Sequence, residues 1–485
     1  MSKPNILIIH TDQHRLDCLG AYGNPDVLTP FLDGLAEDGV LYRNHYAPFP
    51  VCTPSRYSLL TGLYVHQHMG WDNHCTLPSS LPTFPQILKE DGYRTKAVGK
   101  MHFTPTYLDV GFDEMLLAEQ DGPGRLDDDY HRYLMAKGLV DINDLEDQVP
   151  IFRTRAPEKF WKTFGAMKSN LHEKDHSTTW IGERAIEDLE TWTDGGNMMM
   201  VGFIKPHHPF DPPEPWASMY EPDSLSLLDG WIQEPLSRDL AFHGGYFDHR
   251  ELSEGALRHV MANYYGAISQ IDHQVGRMVS CLKDKDLYDK TMIVFTSDHG
   301  EYMGYHHMLL KQNHMSEPLM TVPLIIKYPH QFSSGRENEG LFSIVDLTTT
   351  ILAQASCVPD SFLMGIDMTN DPRGRDYVFA ESGHGQGYMV RSRGGKLLVG
   401  KNPQDTMFFD LKLDPCEMTN LAGEKSYEEE VTRLKETLNR WLMFDAVTQI
   451  YLDEAADTID QANIPINDKN REVVLTYCRE KMLKG

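Results

Sequence analysis

Four short apolar runs stand out along the chain: Asn5–His10 (NILIIH), Arg94–Gly99 (RTKAVG), Met198–Ile204 (MMMVGFI) and Thr291–Ser297 (TMIVFTS). They lack the alternation of a half-exposed strand and read as buried strands of a parallel sheet. Helical patterns lie between them. Residues 29–39 set Thr29 as N-cap, Pro30 at the first helical position and Gly39 as the stop, and Pro82–Gly92 repeat that logic. Residues 177–192 and 255–283 carry further helical patterns. Strands alternating with helices predict an α/β fold with a mostly parallel sheet flanked by helices.

The texture changes twice. Residues 119–176 have weak periodicity and an acidic run, Asp127, Asp128 and Asp129, expected to be a solvated surface. This stretch reads as an insertion over the sheet edge, suited to a substrate lid. Beyond residue 375 the pattern turns antiparallel: a hairpin around Gly394–Gly395, a strand near Thr406–Asp414 and a helix near Tyr427–Met443. The expected organisation is a catalytic α/β domain over 1–375, a small C-terminal α+β subdomain over 376–445 and a helical tail over 446–485. The tail is compatible with packing on a neighbouring subunit in a homo-oligomer.

Composition narrows the function. The chain has 485 residues, enough for a large core, and a formal net charge of −26, which argues against a nucleic-acid partner. No apolar run approaches the ~20 residues of a membrane span, so no membrane partner is expected. Met1 is followed by SKPNILIIH, which lacks the features of a signal peptide. The expected location is cytoplasmic, or periplasmic or secreted if a signal has been trimmed. The seven cysteines are scattered without a C-x-x-C pair, against structural zinc or a disulfide framework.

Reactive side chains gather where the four strands end, the usual ligand edge of an open α/β sheet. The first ends at Thr11, Asp12 and Gln13, the second at Lys100 and His102, the third at His207 and His208, the fourth at Asp298 and His299. Asp12, Gln13, Asp298 and His299 favour Ca²⁺ or Mg²⁺, and the single histidine leaves Mn²⁺ open. Lys100, His102, His207 and Lys311 add cationic or protonatable groups, so the pocket suits an anion.

The stretch PFPVCTPSRYSLLTG puts Cys52 at the start of a short helix, with Thr53 as N-cap and Pro54 at the first helical position, where backbone N–H groups favour anions. Cys52 reads as a buried small hydrophobe, a thiolate nucleophile or a precursor of something else. A thiolate suits hard-metal chemistry poorly, and Arg56 lies only four positions on, not six as in cysteine phosphatases; the site wants an oxygen nucleophile.

CTPSRYSLLTG resembles the C-x-P-S-R signature of the sulfatase family of the alkaline phosphatase superfamily. The resemblance extends through PNILIIHTDQHRLDCLGAYGN, DGYRTKAVGKMH, KPHHPFDPPEPW, TSDHGEYMGYHHMLLK, VPLIIKYP and FFDLKLDPCEMTNLAG, in family order over most of the chain. It implies an alkaline-phosphatase-like fold and a hydrolase acting on sulfuric esters, with Cys52 oxidised to formylglycine by a maturation enzyme. It implies Asp12, Gln13, Cys52, Asp298 and His299 as ligands of a divalent metal, most often Ca²⁺. Arg56 would hold the aldehyde hydrate, Lys100 and Lys311 would neutralise sulfate oxygens, His207 would serve the leaving oxygen and His102 would release sulfate. Asn73, His74 and His306 are candidate substrate contacts. His66, His68 and Asp272 read as structural. The implied substrate is a small-molecule or saccharide sulfate ester. Gln13 and His299 stand where many members have Asp and Asn, a pattern similar to the phosphonate monoester and phosphodiester hydrolases of the superfamily, which are the alternative reading. A non-catalytic anion-binding protein is the third.

Overall fold

The computed structural model describes residues 3–120, 125–239, 247–311, 314–331, 333–359, 362–447 and 468–482. The main sheet has eight strands: β1 (Asn5–Asp12), β2 (Val40–Tyr46), β3 (Arg94–Gly99), β4 (Glu114–Leu117), β5 (Asn197–Pro206), β6 (Thr291–Ser297), β7 (Leu324–Lys327) and β8 (Arg336–Ser343). Their order is β4-β3-β5-β1-β6-β7-β2-β8, and β7 alone runs antiparallel to its neighbours.

Strands covered on both faces read as near-continuous apolar runs, and side-chain alternation sends successive residues into two different cores. Ile6 and Ile8 enter one core with Met198, Met200, Met292 and Val294. Leu7 and Ile9 enter the other with Met199, Val201, Ile293 and Phe295. The helix α1 (Pro30–Asp38) starts after Thr29 as expected, but Thr29 does not cap it. The first free N–H groups, Phe31 and Leu32, donate instead to Asp272 at 3.3 and 2.7 Å. Asp272 sits on the long helix α5 (Glu254–Asp284), so it joins the two helices.

The helix α2 (Cys52–Thr61) is buried over its whole length. It begins two residues earlier than expected, with Val51 rather than Thr53 as N-cap. The orphan N–H of Thr53 is taken by Asn73 Oδ1 at 3.1 Å, a cap supplied from a distant turn.

Between β4 and the helix α4 (Ser177–Leu189) lie short helices, among them α3 (Ile142–Gln148). The acidic run here is not a solvated surface. Asp128 is buried and accepts from Glu119 N and His131 N, both at 2.7 Å, while Asp129 accepts from Leu117 N at 2.9 Å. These carboxylates cap backbone at the strand end and the next helix, which turns them toward the chain rather than the solvent.

A second sheet of four antiparallel strands follows: β9 (Val378–Ser382), β10 (Gly387–Arg391), β11 (Gly395–Gly400) and β12 (Met407–Asp410). The helix α6 (Glu428–Arg440) covers it with Val431, Leu434 and Leu438. Of the expected tail, residues 448–467 and 483–485 lie outside the described residues. Its helix α7 (Asp468–Met482) packs Val474 and Cys478 against Leu126, Val140, Leu145 and Phe152 of its own chain. No described helix is long and apolar enough to cross a membrane.

Candidate active site

Strands β3, β5, β1 and β6 are parallel neighbours, so their carboxyl ends share one edge. Asp12, Lys100, His207 and Asp298 are delivered there together. The approach of β3 to β5 is tight: a Cβ on Gly202 would lie 2.0 Å from the Lys100 carbonyl oxygen, so only glycine fits.

Cys52, at the first position of α2, is fully buried among the strand ends. Its Sγ lies 3.6 Å from Asp12 Oδ1, 3.2 Å from His299 Nε2 and 2.9 Å from Lys311 Nζ. Burial and the Asp12 charge push the thiol up to about 12, so an unmodified Cys52 is a neutral thiol near pH 7.

Arg56, one turn along α2, is 1% exposed. Its Nε donates to Asp298 Oδ2 at 2.8 Å, Nη2 to Asp12 Oδ2 at 3.1 Å and Nη1 to Lys100 O at 2.8 Å. Ser55 Oγ adds a bond to Asp298 O at 2.7 Å. Lys100 Nζ pairs with Asp12 Oδ2 at 2.8 Å. Burial alone would raise the Asp12 pKa, but Lys100, Lys311, His207 and Arg56 hold the carboxyl well below its ordinary range. Burial, helped by Lys311, lowers His299 to about 4 and keeps it neutral.

Asp12, Cys52, Asp298 and His299 each offer a ligand atom, and these atoms lie within 4.8 Å of one another. The donor set fits a divalent cation. His299 Nδ1 donates to Gly300 O at 2.8 Å, which leaves its Nε2 lone pair for the cluster. Lys311 Nζ, a positive nitrogen, already stands 3.1 Å from that Nε2 and 3.8 Å from Asp12 Oδ1. Gln13 is held by its backbone N–H to Asp298 Oδ1 at 3.1 Å and by its amide to Glu301, and its buried Oε1 has no hydrogen-bond partner. Its backbone is left-handed at φ 63°, a conformation non-glycine residues keep only when their surroundings impose it.

His102 also has a positive φ, 61°. Glu119 Oε1 accepts from Met101 N and His102 N, both at 2.9 Å, and fixes that turn. Both ring nitrogens of His102 are buried and without a hydrogen-bond partner, while its carbonyl takes Thr53 Oγ1 at 2.9 Å beside Cys52. Burial and Lys100 hold its pKa well below the ordinary value. Burial and Lys311 do the same for His207, whose Nδ1 donates to His208 O at 2.5 Å and leaves Nε2 as the exchangeable nitrogen.

The three candidate substrate contacts fare differently. Asn73 is occupied as the cap of α2. His74 is exposed on the turn that Asp72 closes. His306 is 3% exposed, with Nδ1 at 2.8 Å from Asp239 Oδ2 and Nε2 at 2.7 Å from Cys416 O. Both of its ring nitrogens are engaged in tying two chain segments together. Glu119 escaped the sequence reading because an isolated glutamate outside any motif gives no signal.

The family profile described as Sulfatase matches residues 4–357, and one described as N-sulphoglucosamine sulphohydrolase, C-terminal, matches residues 304–443. The chain is 28% identical over 469 residues to an arylsulfatase of Clostridium perfringens, covering 90% of this chain and 94% of that protein. It is 25% identical over 482 residues to an N-acetylglucosamine-6-O-sulfatase of Bacteroides thetaiotaomicron, covering 90% and 86%. Among solved structures, the phosphonate monoester hydrolase of Agrobacterium radiobacter superposes with a TM-score of 0.74 at 25% identity, covering 90% of this chain and 95% of that one.

Proposed function

The chain belongs to the sulfatase family, and from that premise we infer that it hydrolyses a sulfate monoester at the cluster around Cys52. One observation carries the reading. Two carboxylates and an imidazole meet position 52 together with Lys100, Lys311 and Arg56, so a chain of net charge −26 has a buried pocket with three cations against two carboxylates. That excess suits an anionic ester.

Asp12, Gln13, Asp298, His299 and position 52 would hold a divalent metal, Ca²⁺ best by its oxygen donors with Mn²⁺ or Mg²⁺ as alternatives; when bound, it supplies Lewis-acid polarisation of oxygen. Conversion of Cys52 to formylglycine by a maturation enzyme would supply oxygen nucleophiles where the neutral thiol is unreactive.

The remaining roles fall to groups the chain already holds. Arg56 clamps Asp12 and Asp298 and so fixes the first turn of α2 against them. Lys100 and Lys311 oppose the negative charge that moves onto the sulfate oxygens. His207, pinned at Nδ1, gives its Nε2 proton to the leaving oxygen; a bound anion beside Lys311 favours the protonated ring. His102, unpartnered at both ring nitrogens beside Thr53, takes a proton from position 52 to release sulfate. We place sulfated saccharides first among substrates, on the strength of the N-acetylglucosamine-6-O-sulfatase relative.

The test begins with the tryptic peptide Asn44–Arg56 from protein co-expressed with a formylglycine-generating enzyme. An aldehyde or its hydrate at position 52, followed by turnover of 4-nitrophenyl sulfate and of glucosamine 6-sulfate, is the expected result. An intact, alkylatable thiol would overturn the mechanism and favour a non-catalytic anion-binding protein. A second reading, phosphonate monoester hydrolysis, is favoured by Gln13 and His299 and by the Agrobacterium structure. Faster turnover of an aryl phosphonate monoester than of the matched sulfate would select it.

A further inference from the structure

The rings of His207 and His208 are stacked, centroids 4.1 Å apart and planes at 28°. His208 Nδ1 lies 2.5 Å from Asp147 Oδ2, and Asp147 is fully buried. Asp147 belongs to α3, in the segment between β4 and α4, so it reaches the histidines from outside the main sheet. The same segment holds the backbone between the two rings. His208 O, which accepts from His207 Nδ1, also accepts from Gln120 Nε2 at 2.6 Å and Gln148 Nε2 at 3.3 Å. Leu145, on the same short helix, is buried against Val474 and Cys478 of α7.

A buried carboxylate on an imidazole N–H fixes both tautomer and ring plane. Here the fixed ring is His208, and His207 lies flat on it. We propose that Asp147 is a positioning residue for leaving-group protonation: through His208 it sets the plane of His207 and the direction of its Nε2. This rests on the sulfatase reading above. Without the carboxylate, His208 turns, the stack opens and Nε2 loses its aim at the ester oxygen. Misplacement by about 1 Å costs roughly 10²-fold in rate.

The experiment compares matured wild type, Asp147→Ala, Asp147→Asn, His207→Ala and the Asp147→Ala/His207→Ala double variant on aryl sulfates of rising leaving-group pKa. Poor leaving groups depend most on a proton donor. Asp147→Ala is expected to lose roughly tenfold on 4-nitrophenyl sulfate and roughly 10²-fold or more on phenyl sulfate, mainly in kcat. Asp147→Asn keeps an acceptor oxygen, guards against misfolding of the alanine variant and falls between. The double variant loses little beyond His207→Ala, as residues acting as a unit do. Equal losses across the series, or additive losses in the double variant, overturn the proposal. A crystal structure of Asp147→Ala needs no turnover: an unmoved His207–His208 stack overturns the proposal while the sulfatase reading stands. A matured wild type inert on every sulfate ester overturns the sulfatase reading itself.

Discussion

Lys311 Nζ stands 2.9 Å from Cys52 Sγ, the shortest contact that sulfur makes among the described residues. The lysine is anchored by the site itself: burial would lower its pKa, but its hydrogen bond to Cys52 and the Asp12 and Asp298 charges outweigh that and raise it above the ordinary value. It therefore remains charged through any assay range. Replacing Lys311 with Ala removes a fixed positive charge where sulfate charge develops, and kcat/KM should fall by about 10²–10³. Lys311→Arg should not restore it, because a planar fork does not fit a point-charge position. A loss under tenfold on an aryl sulfate would take Lys311 out of the charge-stabilising set.

Arg56 is tied to both site carboxylates, and all three side chains are at most 1% exposed. Arg56→Ala leaves Asp12 and Asp298 buried with fewer partners. Breaking a buried pair this way costs about 3–5 kcal/mol, against under 1 kcal/mol for an exposed pair. The expected readout is a lower urea midpoint at pH 7. An unchanged midpoint would mean that Lys100 and Lys311 suffice to hold the carboxylates.

Chelation tests the donor cluster. Treatment with EDTA should abolish turnover, and a divalent ion should restore it. The ion should also raise the thermal midpoint, since binding at a hundredfold excess over Kd contributes about 2.7 kcal/mol. Asp298→Asn should lose both responses. A thermal midpoint indifferent to Ca²⁺, Mn²⁺ and Mg²⁺ in the wild type would reject the cluster as a metal site.

Asp272 gives a pH signature remote from the site. Burial pushes its carboxyl up to about 7, against the opposing bonds from Leu32 N and Phe31 N. In an unfolded chain the group titrates near 4. A folded-state pKa above the unfolded one means its contribution is complete below about pH 4 and is lost as pH rises to about 7, by up to roughly 4 kcal/mol. Asp272→Asn keeps an acceptor for Leu32 N and does not titrate. The variant should therefore gain stability relative to wild type between pH 4 and 7, with a plateau above. A difference in thermal midpoint that stays flat over that range would show that Asp272 titrates as an ordinary carboxylate.

How much of this was legible follows from burial and from distance along the chain. The four central strands lie between two cores, so their middle positions form short, mostly apolar runs and the pattern announces them. Strands nearer the edges were missed. β8 begins with exposed Arg336 and Glu337, β2 carries half-buried Arg43 and Asn44, and β4 and β7 have only four residues each. Strand-end chemistry was readable because parallel neighbours bring their ends together. Caps supplied from afar were not: Asn73 on Thr53 and Asp272 on α1 leave no local trace. Nor did the His306 pairing, whose partners Asp239 and Cys416 lie far off in sequence.

The Glu119–His102 turn separates geometry from charge. A left-handed non-glycine residue costs about 1–3 kcal/mol, and the two N–H bonds to Glu119 Oε1 offset that here. If the carboxylate serves only as an acceptor, Glu119→Gln can present its one carbonyl oxygen to both N–H groups and should keep kcat within about tenfold. Glu119→Ala leaves two buried N–H groups unsatisfied, each worth about 1–3 kcal/mol, and frees His102 from the imposed turn. Its kcat should fall by about 10² or more with little change in KM, because the proposed step of His102 follows binding of the ester. The matched pair is decisive. Equal, large losses in Gln and Ala would assign the Glu119 charge itself to the reaction. Equal, small losses would show that the backbone at His102 holds its shape without help.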